Sequence, residues 1–352
     1  MAKAKYYNIS NILKTGAQYI ILLGQRANGK SYQAKKTAII NAYNNKKKFV
    51  YLRRWKLDIS AKAVKAYFDD MPIQELTNDE FDTIEAYNGS LFFGKYTEDG
   101  KIERCDEIGK YCALNEAERY KSWAFKDYDY IIFEEFITDN IYLHDEPTLL
   151  QQFVSTVARL DKITVLMIGN TLTRVCPYFS EWCLDGVLKQ KQGTIEIYHF
   201  HIDAKNTVDI AVEYCANADY KNKMFFGQTA KQIVSGEWDT KEEPKLPRSQ
   251  NDYENVYEIK VCFQKFTFVM QLLIDKETGG AVVFVYPYTG TREIYRIITD
   301  AFSVSRFVST TLDRTRKPES MIIDCWRQNK FCYSDNLTGA DFKNIQKTFG
   351  FI

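Results

Sequence analysis

A glycine-rich segment near the start of the chain, GQRANGKS at residues 24–31, has the residue types and spacing of a phosphate-binding loop. Its glycines let the backbone curl so that successive N–H groups point inward at phosphate oxygens. Lys30 would reach the β- and γ-phosphates of ATP, and the Ser31 hydroxyl would hold Mg²⁺. The alternative is a chance glycine-rich turn, but the apolar run Ile20–Leu23 before the loop favours the strand–loop–helix arrangement of a P-loop. The predicted nucleotide-binding residues are Gly24, Gln25, Arg26, Ala27, Asn28, Gly29, Lys30, Ser31 and Tyr32.

Two acids follow a second apolar run, YDYIIFEEF at residues 128–136. Glu134 stands where an acid helps to hold Mg²⁺ through water, and Glu135 stands where a carboxylate orients and polarises the attacking water. Most sites of this kind have Asp in the first position, and the extra methylene of Glu134 is compatible with a water-mediated contact. The alternative is a strand that ends in a solvated acidic turn.

A third apolar run, TVLMIGN, ends at Asn170. An amide at this point can donate or accept a hydrogen bond near the γ-phosphate and the attacking water. An ordinary asparagine in a turn after a strand is the alternative. Together the three segments predict binding of ATP and Mg²⁺ and hydrolysis of the nucleotide.

The elements that position these residues alternate between strand and helix over about the first two hundred residues. Continuous apolar strands between helices indicate a parallel sheet with both faces covered. From residue 206 the pattern changes, because Val208–Ser235 is polar with a helical pattern and Lys241–Asn255 has the composition of a linker. Beyond it, β-rich segments predict a smaller α/β domain. We therefore expect an ATPase domain at 1–205, a helical and polar linker region at 206–251 and a second domain at 252–352.

Composition limits the remaining function classes. The 352 residues carry a formal net charge of +1, so contact with nucleic acid must come from local basic patches. No signal-peptide pattern and no apolar run of transmembrane length is present, which predicts a protein that does not enter a membrane.

Five segments together resemble one known family: GQRANGKS, FVYLRRWK at residues 49–56, IIFEEF at 131–136, TVAR at 156–159 and IGN at 168–170. They are similar to the DNA-packaging ATPase of phi29-like tailed phages. That family belongs to the FtsK/HerA-like ring ATPases and is related in layout to terminase large subunits. The resemblance implies a P-loop ATPase domain of the ASCE class, followed by a degenerate ribonuclease-H-like α/β domain.

The resemblance also implies that a neighbouring subunit completes each ATPase site. Arg159 in TVAR matches the position of an arginine that acts in trans, and Arg174 is a second candidate. Lys121 matches a basic residue linked to the subunit interface. The basic strand end with Arg53, Arg54 and Lys56 could contact nucleotide, a neighbour or DNA phosphates, or have an ordinary surface role. For Arg159 the alternative role is a cation at a helix end, and for Lys121 it is a solvated lysine.

The second domain lacks the acids that a working nuclease of this fold needs to hold two metal ions. In CFQKFTFVMQLLID, where the first acid would project, only Asp275 is present, and it stands at the turn. We therefore expect no metal-dependent cleavage. Cys262–Lys265 and the basic region 292–316 could instead bind nucleic acid or a docking partner.

The sequence thus predicts an ATP-driven motor that moves double-stranded viral DNA into a procapsid as a homomeric ring. The family resemblance implies a pentamer, contact with the portal, and action in the host cytoplasm during virus assembly rather than in the mature virion. Whether a packaging RNA is a further partner is left open. Two other functions are consistent with the motifs: a P-loop helicase or recombination ATPase, and a regulatory module that binds ATP but hydrolyses it weakly.

Overall fold

The computed structural model describes residues 7–138, 140–159, 161–203, 206–215, 242–301, 303 and 305–352. As far as they are described, these residues form two compact units, the first with 7–138, 143–171 and 181–215 and the second with 140–142, 172–180 and 242–352. Most of the predicted linker region, residues 216–241, lies outside the described residues. The domain limits at residues 205 and 252 therefore stay a prediction.

The α-helices of the described chain are α1 (Ser10–Leu13), α2 (Lys30–Asn45), α3 (Ala61–Phe68), α4 (Ile73–Leu76), α5 (Glu146–Ala158), α6 (Pro177–Glu181), α7 (Lys317–Arg327) and α8 (Asn336–Phe349). The strands of the first unit are β1 (Tyr19–Leu23), β2 (Lys48–Arg53), β3 (Thr83–Tyr87), β4 (Ser90–Tyr96), β5 (Ile102–Ala113), β6 (Tyr128–Glu134), β7 (Thr164–Ile168), β8 (Thr194–His201) and β9 (Thr207–Tyr214). Those of the second unit are β10 (Tyr253–Phe263), β11 (Phe266–Asp275), β12 (Ala281–Pro287), β13 (Ile297–Thr299), β14 (Val308–Ser309) and β15 (Phe331–Tyr333). Short 3₁₀ helices occupy Lys56–Asp58, Leu114–Ser122, Val187–Lys189 and Gln250–Asp252.

The first unit is built on a sheet with the strand order β3-β4-β5-β2-β6-β7-β1-β9-β8. The six central strands, from β5 to β9, run parallel, and β4, β3 and β8 are antiparallel to their neighbours. The carboxyl ends of β1, β7, β6 and β2 therefore lie side by side at one edge. In an open parallel sheet this edge is where ligands bind.

The core forms because strand residues alternate between two faces. The apolar stripe of α2, with Ala34, Ala38 and Ile39, packs in one cluster with Ile20 and Phe49 of the sheet. The connections from β1 to β2 through α2 and from β6 to β7 through α5 run in opposite directions across the sheet. Since such crossovers are right-handed, α5 covers the face opposite to α2. This confirms the predicted α/β class with a largely parallel sheet.

Two details of the sequence analysis are wrong. Residues 208–214 were predicted to be helical, but they form most of β9, a strand parallel to β1. The segment Thr207–Tyr214 contains Val, Ile and Thr, which favour strands because they are β-branched. Its burial in the sheet then stabilises the strand over a helix. Strand β8 also departs from the expected parallel sheet with both faces covered, because it pairs antiparallel with β9 at the edge and its residues are exposed or half-buried.

The second unit has a six-stranded sheet in the order β14-β13-β10-β11-β12-β15. The strands β10, β11 and β12 form an antiparallel meander, and β13 joins β10 in parallel on its other side. This is the strand arrangement of the ribonuclease-H-like fold. Helices α7 and α8 pack against one face through residues such as Ile322 and Phe342, which cluster with Val261 and Leu272. The predicted turn at Lys276–Gly280 connects β11 to β12.

Candidate nucleotide-binding site

The loop between β1 and α2 has the backbone conformation that a phosphate cradle requires. Gly24 has φ +145° and Gly29 has φ +97°, both in the region that favours glycine. A Cβ on Gly24 would also lie 3.3 Å from the Cys215 carbonyl oxygen, which is a tight contact. Because α2 begins at Lys30, the free N–H groups and the positive dipole end of a 16-residue helix face the loop.

Lys30 is folded back over this loop and is only 4% exposed. Its Nζ donates to the carbonyl oxygens of Gly24 (3.2 Å) and Gln25 (2.7 Å) and to Oδ1 of Asn28 (3.2 Å). Burial lowers the pKa of Lys30 to about 8, although the neighbouring Cys215 and Glu134 act in the opposite direction. Within the described ranges, the ammonium is held by carbonyl dipoles and by no carboxylate in direct contact, so an incoming phosphate would supply the missing negative charge.

Asn28 has a buried donor for which the described residues give no acceptor. The residue is 1% exposed, and its Oδ1 accepts from the backbone N–H of Lys30 at 3.3 Å. Its Nδ2 is buried and has no hydrogen-bond partner among the described residues. A buried N–H without a partner costs free energy, so an anion in the loop would satisfy it.

The first acid, Glu134, ends β6 and is buried beside the start of α2. Its Oε1 accepts a hydrogen bond from the Tyr67 hydroxyl, and Ser31 lies close to the carboxylate on the lining of the same cavity. Burial raises the pKa of Glu134, while the neighbouring hydroxyls of Tyr67 and Ser31 and the charge of Arg53 lower it in part. Ser31 and Glu134 thus adjoin each other, as a shared Mg²⁺ site requires.

The second acid, Glu135, lies at the open side of the pocket. Its side chain is 60% exposed, its backbone has φ +56°, and its Oε2 accepts from Arg53 Nη2 at 2.6 Å. Arg54 binds the main chain at the same place, since Nη1 donates to the Glu135 carbonyl at 3.1 Å and Nη2 to the Phe136 carbonyl at 2.6 Å. Two consecutive arginines therefore fix the Glu135 side chain and its peptide.

Arg54 corrects one expectation, because it is neither a surface residue nor a phosphate contact. It is buried and forms a two-point ion pair with Glu146, which is fully buried, over 2.7 and 3.0 Å. The backbone N–H of Leu143 donates to the same carboxylate at 2.9 Å. Because these contacts occupy the guanidinium of Arg54, its role is to hold the loop after β6 in place.

Asn170, just beyond β7, completes the cluster, and its Oδ1 lies 3.4 Å from Lys30 Nζ. The site residues surround a cavity of about 710 Å³, a size suited to a nucleotide. The cavity is lined by Arg26, Ala27, Asn28, Gly29, Lys30, Ser31, Tyr32, Arg53, Tyr67, Asp70, Glu134, Glu135, Ile168 and Asn170. Gln25 contributes its carbonyl to Lys30 from behind the loop. The residues present therefore fit ATP with Mg²⁺.

The predicted trans-acting residues do not line this cavity. Arg159 caps the C-terminal end of α5, shortly before β7 begins, and thus lies toward the amino edge of the sheet. Its guanidinium is exposed and donates to the Trp123 carbonyl at 3.1 Å. Lys121, two residues before Trp123, pairs with Glu118 at 2.7 Å. Both cations therefore lie near Trp123 on one surface of the first unit.

Arg174, the second candidate for a trans-acting arginine, belongs to the second unit. Its Nη1 lies 3.4 Å from Asp341 Oδ2 in a largely buried pair. This engagement leaves Arg159 as the exposed arginine of the two.

Sequence reasoning missed Tyr67 and Asp70, which line the cavity, and Lys35, which contacts both of them. Lys35 is buried on α2, and its Nζ donates to the Tyr67 carbonyl at 2.7 Å and to the Asp70 carboxylate. A signal for Lys35 was present, because it lies on the buried face between Ala34 and Ala38, where a charge needs a partner. No spacing in the sequence points to Tyr67.

In the second unit, Asp275 is held by neighbours. Its Oδ2 pairs with Arg248 at 2.6 Å and its Oδ1 accepts from the backbone N–H groups of Glu277 and Thr278. The basic region 292–316 is also partly neutralised, since the buried Arg296 pairs with Glu319 at 2.8 Å. Arg296 is therefore unsuited to the nucleic-acid contact that the sequence analysis considered for this region.

In the described part of the chain, no helix is long and apolar enough to cross a membrane.

Comparison with known proteins shows the family to which this chain is similar. The family described as "Podovirus DNA encapsidation protein (Gp16)" matches residues 1–231. The chain is 28% identical over 183 residues to the DNA packaging protein of Bacillus phage phi29, a match that covers 51% of this chain and 50% of that protein. It is 28% identical over 211 residues to the DNA packaging protein of Bacillus phage B103, covering 59% and 58%. The matched region thus spans little more than half the length of these curated relatives.

Solved structures show the same fold. One is described as the bacteriophage Phi-29 viral genome packaging motor assembly, with a TM-score of 0.55, 16% identity and coverage of 97% of this chain and 99% of that one. Another, the Phi-28 gp11 DNA packaging motor, has a TM-score of 0.52, 15% identity and 98% coverage of both chains. At these identities the likeness concerns the fold. Since the family pattern covers more than half of the chain, this protein belongs to the podovirus Gp16 DNA encapsidation family.

Proposed function

We propose that this protein is the ATP-hydrolysing subunit of a ring-shaped motor that moves double-stranded viral DNA into a procapsid. The observation that supports it best is the meeting of Lys30, Ser31, Glu134, Glu135 and Asn170 around one cavity at the carboxyl edge of the sheet. Membership of a DNA encapsidation family supports genome packaging as the process that such an ATPase site would drive.

Each residue of the cavity has a separate role in ATP hydrolysis. Lys30 leaves the carbonyls of its own loop and binds the β- and γ-phosphates, while the N–H groups at the start of α2 bind the remaining phosphate oxygens. Ser31 and Glu134, the latter through water, would hold Mg²⁺, which would supply positive charge to offset the charge that develops on the phosphates. Glu135 orients and polarises the attacking water, and Asn170 donates to the γ-phosphate or to that water.

Arg159 and Lys121 act on a neighbouring copy in this proposal. Both are exposed cations on one surface, away from the cavity of their own chain. An arginine that enters the next site would stabilise the charge on the transferring phosphoryl group, which makes the active form a homomeric ring. A pentamer is the expected size from the family resemblance.

The DNA contact should be directed at phosphates, because a packaging motor cannot depend on base sequence. Its affinity should fall steeply with salt, in proportion to the number of phosphates contacted. The further partners in this proposal are the procapsid portal and, where one exists, a packaging RNA. The place of action is the host cytoplasm during virus assembly.

An ATPase assay with and without double-stranded DNA tests the proposal. We expect hydrolysis by the native protein and its loss in Lys30→Ala, because the charge on the phosphates is removed. Lys101→Ala, at the exposed turn between β4 and β5, is the matched control and should behave as the native protein. Nucleotide binding without turnover, with DNA and procapsids present, would favour a regulatory module instead. Strand separation of a duplex in place of packaging would favour a helicase.

A further inference from the structure

A chain of contacts connects α2 with the first acid through Tyr67. Ser31 and Lys35 are one helical turn apart on that helix and therefore lie on the same face. Lys35 Nζ donates to the Tyr67 carbonyl at 2.7 Å, the Tyr67 hydroxyl donates to the Glu134 carboxylate, and Ser31 lines the same cavity as Tyr67 and Glu134. The helix that binds phosphate thus also holds the residue that touches the first acid.

The end of α3 delivers Tyr67 to this point in a fixed orientation. The helix starts at a Ser60 cap, whose hydroxyl accepts from the backbone N–H of Ala63 at 3.2 Å. The Tyr67 ring stacks on Tyr51 of β2, with ring centroids 4.5 Å apart and planes at 25°. Lys35 Nζ also lies over the Tyr67 ring, 4.4 Å from the ring centroid. A side chain held by stacking, a cation and its own backbone has little freedom to move.

Glu134 needs such a partner more than a shorter acid would. It has one more rotatable bond than Asp, and its position on β6 fixes only the backbone. The Tyr67 hydroxyl donates to Oε1, and this hydrogen bond restricts the rotation of the carboxylate.

We propose that Tyr67 is a positioning residue of the ATPase site, whose hydroxyl fixes the orientation of the Glu134 carboxylate that, with Ser31, would hold Mg²⁺. The inference rests on the proposed ATPase function. Tyr67 has no contact with the reacting atoms in this proposal. Loss of its hydroxyl should therefore change how much Mg²⁺ raises the affinity for nucleotide.

The test measures binding of a fluorescent ATP analogue with Mg²⁺ and with EDTA, in the native protein and in Tyr67→Phe. The phenylalanine keeps the ring and its stacking, so the fold should persist. In EDTA we expect the variant and the native protein to bind the analogue with equal affinity. With Mg²⁺ we expect the affinity of the variant to be about 10-fold lower than that of the native protein, which is the scale of one hydrogen bond to a charged group. Raising the Mg²⁺ concentration should restore much of the hydrolysis rate.

Tyr128→Phe is a closely matched control. Tyr128 lies on the same strand as Glu134, is 5% exposed, and its buried hydroxyl has no hydrogen-bond partner among the described residues. Its loss should leave the effect of Mg²⁺ unchanged. If Tyr67→Phe also keeps the full effect, or loses affinity equally in EDTA, the proposal is wrong.

A second comparison separates positioning from a general structural role. Glu134→Asp keeps the charge but withdraws the carboxylate from the Tyr67 hydroxyl. Adding Tyr67→Phe to Glu134→Asp should therefore change Mg²⁺-dependent binding little, and a further loss of about 10-fold would overturn the inference. If the native protein binds no nucleotide under any condition, the proposed ATPase function fails, whatever the variants do.

Discussion

The guanidinium of Arg53 donates a hydrogen bond to the carboxylate of Glu135 over 2.6 Å. The two residues lie 82 positions apart in the chain and meet because β2 and β6 are parallel neighbours whose ends are level, with Leu52 opposite Phe133. Glu135 is mostly exposed, so the pair adds little to stability. Its importance is geometric, since it fixes where the carboxylate lies at the mouth of the cavity.

Replacing Glu135 by Gln should separate binding from hydrolysis. The amide keeps the length of the side chain and can still accept from Arg53, but it cannot polarise water as a carboxylate does. We expect unchanged ATP binding and a fall in turnover of about 10²- to 10⁴-fold, the range for loss of a general base. Steady-state ATPase rates and analogue binding check this. Glu98→Gln, at an exposed turn, is the control, and near-native hydrolysis by Glu135→Gln would reject the assignment.

The role of Arg159 in trans can be tested by mixing. Arg159→Ala should bind ATP normally and hydrolyse it about 10³- to 10⁵-fold more slowly, if it behaves as other finger arginines do. Mixed with Glu135→Gln, it forms some sites that combine an intact Glu135 with an intact Arg159 from the neighbour. Two nearly inactive proteins should therefore regain partial activity. No recovery at any ratio, with assembly verified by light scattering, would rule out a role in trans.

The buried pair of Arg54 and Glu146 should be a large contributor to the stability of the first unit. In Arg54→Ala, the fully buried Glu146 carboxylate would lose both contacts with the guanidinium. We expect the free energy of unfolding to fall by about 3–5 kcal/mol, measured by denaturant titration. Arg119→Ala, at an exposed guanidinium, should change it by less than about 0.5 kcal/mol. The double replacement Arg54→Ala/Glu146→Ala should cost less than the sum of the single changes.

Asp341 should make stability depend on pH. Burial raises its pKa from 3.8 to about 7, with Arg174 acting in the opposite direction and Asp335 adding to the rise. Because the folded pKa lies above the unfolded one, the folded state binds the extra proton between these values, and stability falls as pH rises from about 4 to 7. Asp341→Asn removes this dependence. The Tm of the variant minus that of the native protein should grow over this range and be constant above it, and a flat difference would contradict the prediction.

The second domain should not cut DNA. Supercoiled plasmid incubated with the full-length protein and Mg²⁺ or Mn²⁺ should remain intact, because Asp275 is paired with Arg248 at a turn and no acid cluster was found in the sequence. A metal-dependent nick that disappears on replacing Asp275 or Asp300 would show that the domain is a working nuclease.

The parts of the site that lie in one stretch of sequence could be predicted, and those made by long-range contacts could not. Gly24–Ser31 forms a loop from its own residues, so its spacing alone indicates the cradle. The Tyr67 hydroxyl and Glu134 are 67 positions apart, and only the packing of α3 brings them together. Nor could the sequence tell Arg53 from Arg54, because consecutive residues at a strand end point in opposite directions. One of them faces the cavity, and the other is buried with Glu146.

The chain segments that make up the second compact unit determine whether that unit can be prepared in isolation. Its core includes Val175, which comes from the segment 172–180 in the middle of the chain, and Asn344 on α8 donates to Thr173 of the same segment over 2.9 Å. A fragment cut at residue 252 would lack this segment and expose the apolar surface that Val175 covers, a loss of about 1.5–3 kcal/mol for one buried side chain. The second unit is thus continuous in space but not along the polypeptide, and no single cleavage point releases it whole.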